Sequence, residues 1–96
     1  MSAGTSPSIS DILNGGPEIA FQANTGDLWT TGQVNNGDSG LAMMAGTSPS
    51  IASLALGGYE VAAQASNGDL WTMGASSNGD TGVQMMPGTS PSITGN

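Results

Sequence analysis

Short apolar clusters alternate with Gly-, Asn- and Ser-rich stretches along all 96 residues. Ser8 to Ile12 forms the first cluster, and Glu18 to Ala23 the second, after the Gly15-Gly16 turn. Leu28 to Thr31 is the third, and Leu41 to Met44 the fourth, after the polar stretch Gly32 to Gly40. Short apolar runs separated by Gly and Asn predict strands joined by turns. No stretch holds a helical period long enough to compete.

The pattern repeats. Gly-Thr-Ser-Pro-Ser-Ile stands at Gly4–Ile9, Gly46–Ile51 and Gly88–Ile93. Gly-Asp-Leu-Trp-Thr runs from Gly26 to Thr30 and again from Gly68 to Thr72, and Asn36-Gly37-Asp38 returns as Asn78-Gly79-Asp80. The period is about 42 residues, and roughly 24 of the paired positions are identical, so the repeat is no accident of composition. Substitutions at expected core positions are conservative, with Ile12 replaced by Leu54, Ile19 by Val61 and Leu41 by Val83. This order argues against disorder, the reading that a Gly-rich, sparsely charged composition would otherwise invite.

Four strands per period with a central Trp predict an all-β fold, a β-propeller built from four-stranded blades. Residues 4–45 form the first blade repeat, 46–87 the second, and 88–96 a partial third consisting of a first strand only. A single blade buries little surface and needs neighbours on both faces. Two blades do not close a ring, so oligomerisation is expected to complete it: a homotrimer gives six blades, a homotetramer eight. The third hexapeptide is either a spare strand that competes with the N-terminal copy or a remnant of a longer array.

Composition narrows the function. The chain has no Lys, Arg, His or Cys, and its seven acids give a formal charge of −7. With no cation to neutralise phosphates, nucleic-acid binding is not expected, and an anionic membrane surface repels the chain. No apolar run reaches the roughly 18 residues of a membrane helix, and Met1-Ser2-Ala3-Gly4 lacks the charged and apolar regions of a signal peptide. Without His or Lys, the usual general base and Schiff-base chemistry are missing. Glycosidase chemistry with Glu18 and Glu60 remains conceivable but lacks a well-placed second carboxylate, so an enzyme is not expected. The Asn36–Gly40 loop offers one Asp where a calcium site wants about six oxygens. Neither a metal nor another cofactor is expected. Seven like charges per chain repel one another, so any oligomer should strengthen with salt.

The ordered set Gly-Thr-Ser-Pro-Ser-Ile, Gly57-Gly58-Tyr59-Glu60-Val61-Ala62, Asn67-Gly68-Asp69-Leu70-Trp71-Thr72 and Gly79-Asp80-Thr81-Gly82 resembles the blade repeat of the Psathyrella velutina lectin family. The resemblance spans nearly the whole chain. It implies a propeller lectin that binds N-acetylglucosamine, and also sialic acid, in pockets between consecutive blades. Family members carry seven blades in one chain and this sequence carries two, so a ring made of copies has a different blade number. Near-identity of the units and the lack of basic residues suggest an engineered or recently amplified fragment.

The residues themselves suggest a ligand site. With Thr25-Gly26 as a two-residue turn, Asn24 faces Asp27 and Gln22 faces Trp29, placing all four on one face at one end of the blade. In the second unit the set is Gln64, Ser66, Asp69 and Trp71. Strand alternation brings Met44 to Ser48, including Thr47 and Ser48, to the same end. An indole, a carboxylate, amides and hydroxyls together suit a sugar, which presents an apolar C–H face ringed by hydroxyls. Each residue also has a structural use: Trp in packing between sheets, Asp in turns, Gln as a buried amide that finds a partner, and Met as a gap-filler. The alternative function is a ligand-free structural fragment whose purpose is assembly.

Overall fold

A computed structural model describes residues 1–95. They form eight strands: β1 (Ser8–Ile12), β2 (Gly16–Gln22), β3 (Asp27–Gly32), β4 (Gly37–Ala42), β5 (Ser50–Ser53), β6 (Tyr59–Gln64), β7 (Asp69–Gly74) and β8 (Gly79–Gln84). The chain is all-β: two four-stranded antiparallel sheets, β1-β2-β3-β4 and β5-β6-β7-β8, with no helix among the described residues. Both sheets are meanders, each strand pairing with its sequence neighbour.

The first strand lies where the apolar pattern predicts it. The fourth does not: β4 covers Gly37–Ala42 rather than Leu41–Met44. The polar residues leaving the Asn36 turn continue the ladder, with Gly37 opposite Thr30 and Asp38 opposite Trp29. A register shift follows before Asp27 meets Ala42. Gly40 takes the bulge at φ 85°, and its N–H donates to Asp38 Oδ1 at 2.8 Å. Met43 then leaves the sheet and bridges to Ala65 of the second one.

The β2–β3 hairpin also departs from expectation. Its loop has three residues, Asn24-Thr25-Gly26, closed by Ala23 N–H to Asp27 O and by Gly26 N–H to Ala23 O, each at 2.9 Å. Gly26 at φ 94° supplies the left-handed residue that a three-residue loop needs. Gln22 therefore faces Leu28, and Phe21 faces Trp29. A slip of one residue moves every side chain to the other face. The expected single face of Gln22, Asn24, Asp27 and Trp29 is not formed, because Gln22 and Trp29 lie on opposite faces. The second unit repeats this, with Gln64 opposite Leu70 and Ala63 opposite Trp71.

The sheets pack through Ala20, Leu28, Leu41 and Met43 on one side and Ile51, Val61, Ala63 and Ala65 on the other, with Tyr59, Trp71 and Met73 alongside. The repeat gives this contact a direction. Val61, Ala63 and Trp71 correspond to Ile19, Phe21 and Trp29, which share the opposite face of the first sheet. One face of the first unit thus meets the other face of the second, head to tail. Equivalent residues differ in exposure accordingly: Ile51 is 5% exposed and Ile9 63%, Leu41 9% and Val83 57%.

Candidate functional site

At the β2–β3 tips, the expected ligand end, the two sheets are closed against each other. The β4–β5 connection reaches this end as the alternation of strands requires. There Met44 N–H donates to Gln64 O at 3.0 Å, and Ser66 N–H to Ala42 O at 2.8 Å. The Gln22 amide donates from Nε2 to Met44 O at 3.0 Å. Gln64 repeats the bond toward the third repeat, donating to Met86 O at 3.3 Å and to Gly68 O at 3.2 Å. Both glutamines are fully buried. Their Oε1 atoms, with the indole N–H groups of Trp29 and Trp71, have no hydrogen-bond partner among the described residues.

Thr47 and Ser48 are drawn into the same closure. Thr47 is fully buried and donates its hydroxyl to Met44 O at 2.7 Å. Ser48 Oγ accepts the Ser6 N–H at 2.9 Å. Asn24 and Ser66 are exposed in their loops. Trp29 packs on Phe21 with ring centroids 6.4 Å apart, on the face of the first sheet that has no neighbour.

Each unit also carries a pair of neighbouring carboxylates. Sharing a proton with Asp38 raises the Asp27 pKa above its ordinary 3.8, with desolvation and repulsion adding to the shift. Asp80 does the same to Asp69. Asp80 itself is lowered, first by the Gly82 N–H at 2.8 Å and then by the contact with Asp69. No group of three metal-ligating side chains assembles among the described residues.

The buried glutamates organise loops at the other end. Glu18 accepts the N–H groups of Val34 at 2.9 Å and Asn35 at 3.1 Å. Glu60 accepts Ser76 N–H at 2.8 Å and both N–H and hydroxyl of Ser77. Gly32 and Gly74 make room for them: each has φ 150°, and a Cβ there would lie 2.7 Å from the glutamate Oε1. Asn36 and Asn78 clamp the same turns, bonding both the N–H and the carbonyl of Gly32 and Gly74 respectively.

The space between the sheets opens at this Glu-organised end, opposite the expected site. A groove of about 560 Å³ runs between the β3–β4 tip of the first sheet and the start of β6 with the β7–β8 tip of the second. Leu28, Val34, Val61 and Met73 supply its apolar lining, and Asn35, Asn36, Asn78 and Tyr59 its polar groups. Asn35 Nδ2 donates to the Tyr59 hydroxyl at 2.7 Å, bridging the two sheets across the groove. Asp38 is the one ionisable acid in the lining.

The sequence reading passed over Val34, Asn35, Tyr59 and Met73. A signal existed: strand alternation sends the Gly57-Gly58-Tyr59 turn and the Gln33–Asn36 loop to the same end. Comparison with protein-family models, with curated proteins and with solved structures returns no match to this chain.

Proposed function

We propose that the chain is a carbohydrate-binding lectin taking N-acetylglucosamine between consecutive blades of a propeller that copies of the chain complete. Three copies supply six blades and four supply eight. The observation that carries this reading is the groove between the sheets: amides and a phenol stand over an aliphatic floor, the mixture that a neutral, N-acetylated sugar recognises. Asp38 and the overall charge of −7 favour a neutral sugar over sialic acid. Single-sugar affinity is weak, about millimolar to high micromolar, because a small polar ligand covers little area. A ring of equivalent sites compensates through avidity. Catalysis is no part of this reading, since Glu18 and Glu60 are occupied with backbone N–H groups. Retention on immobilised N-acetylglucosamine, released by free sugar, tests it; passage through the column without delay overturns it.

A second reading, assembly without a ligand, is favoured by the use to which the recurrent polar residues are put. Gln22, Gln64, Glu18, Glu60 and Thr47 all hold backbone groups inside the structure. Native mass spectrometry separates the two. A closed oligomer that gains sugar masses supports the lectin, and one that gains none supports assembly alone.

A further inference from the structure

All three copies of Gly-Thr-Ser-Pro-Ser-Ile sit in one geometric series. Ser48 Oγ accepts the Ser6 N–H at 2.9 Å, and Ser90 Oγ accepts the Ser48 N–H at 2.8 Å. Ser8 Oγ accepts the Ile51 N–H, and Ser50 Oγ the Ile93 N–H, both at 3.2 Å. Thr5, Thr47 and Thr89 each donate a hydroxyl to the carbonyl three residues back at 2.7 Å. The third copy therefore lies against β5 as β5 lies against β1. Its end is seated closely, for a Cβ at Gly95 would collide with the Ser53 backbone.

A second copy joining head to tail brings its own first unit to this face. Its β1 then has to stand against β5 of the first copy as β5 stands against β1 within the chain, and that place is already filled by Gly88–Gly95. We propose that Gly88–Gly95 is a placeholder for the first strand of a second copy and leaves its seat when two copies associate. This rests on the self-association proposed above and adds an internal competitor to it.

Of the two segments, Gly88–Gly95 is the one that gives way. It carries no strand ladder among the described residues. β1 is paired with β2 over five residues from Ser8 to Ile12 and is tied to it by a short turn. Removing β1 from its blade breaks a ladder, whereas releasing Gly88–Gly95 gives up contacts that the incoming β1 restores one for one.

The test is one substitution placed in two identical hexapeptides of the full chain. Ile93→Asp weakens the seated segment, since a carboxylate is poorly accommodated in a partly buried position. A seat filled nine-tenths of the time lowers the apparent affinity of a competitor about tenfold. Ile93→Asp is therefore expected to strengthen self-association about tenfold by sedimentation equilibrium. Ile9→Asp, at a site exposed in the single chain, is expected to weaken it by at least about the same factor. Thr89→Ala, which deletes one anchor of the segment, should act in the direction of Ile93→Asp. Circular dichroism melting confirms that each variant folds.

Weaker or unchanged association of Ile93→Asp, with the parent assembling, overturns the placeholder and leaves the assembly reading intact. A harmless Ile9→Asp with a damaging Ile93→Asp identifies strand exchange instead and overturns it as well. A parent and an Ile93→Asp variant that both stay monomeric at every concentration overturn the two proposals together.

Discussion

The Gln22 side chain donates to the Met44 carbonyl in the β4–β5 connection, and Gln64 repeats the bond to Met86 one period later. The same glutamines that resemble ligand contacts in the sequence hold the segment that leaves each unit after its fourth strand. Met44 O also accepts the Thr47 hydroxyl, so this tie is one strand of a small network around a single carbonyl.

Gln22→Ala deletes this tie and leaves a void in a fully buried position. The expected cost is about 2–4 kcal/mol, most of it from the cavity because Met44 O keeps its bond to Thr47. Gln22→Met conserves volume and removes the unpartnered Oε1, so its expected cost is below about 1.5 kcal/mol. Urea denaturation of the two variants checks the order.

Glu18→Ala strands two backbone donors, the N–H groups of Val34 and Asn35. Bonds to a charged acceptor contribute about 1.5–3 kcal/mol each, so a loss of roughly 3 kcal/mol is expected. Amide hydrogen exchange should show the damage concentrated at Val34 and Asn35. A uniform loss of protection along β2 would instead point to general unfolding.

Stability should rise as pH falls from neutral toward the carboxylate range. Asp27 and Asp69 have raised pKa values in the folded chain, so folding takes up protons just above the ordinary value of 3.8 and repulsion within each pair is relieved. Asp80 is lowered, so the contribution of its ionised form is lost as pH falls further, through its folded value. A double variant, Asp27→Asn with Asp69→Asn, should be more stable than the parent at neutral pH and should show less gain on mild acidification. Melting temperatures followed across this range decide the matter, and a parent that weakens steadily from neutral pH downward contradicts it.

If the groove takes N-acetylglucosamine, Asn35→Ala and Tyr59→Phe should each reduce binding about five- to thirtyfold, the effect of losing one hydrogen bond of about 1–2 kcal/mol. Both residues touch the groove, and each substitution removes side-chain groups only, leaving the backbone ladder in place. Asn24→Ala, in the exposed β2–β3 loop at the opposite end, should leave binding unchanged. Isothermal titration with free sugar measures all three.

The 42-residue repeat, the all-β class and most strand positions were legible in the sequence, because turn chemistry and the apolar pattern act locally. Gly15-Gly16 and Asn36-Gly37 mark chain reversals whatever surrounds them, and β1 begins and ends where its apolar run does. The tertiary structure alone decided which face each side chain takes. One extra residue in the Asn24–Gly26 loop, closed by the positive φ of Gly26, turned Trp29 away from Gln22. It also decided which end of the interface stays open. Met44 and Ser66 spend their N–H groups closing one end, while Glu18 and Glu60 hold the loops that flank the groove at the other. Local sequence does not carry that choice, since it depends on which backbone groups of one sheet find partners on the next.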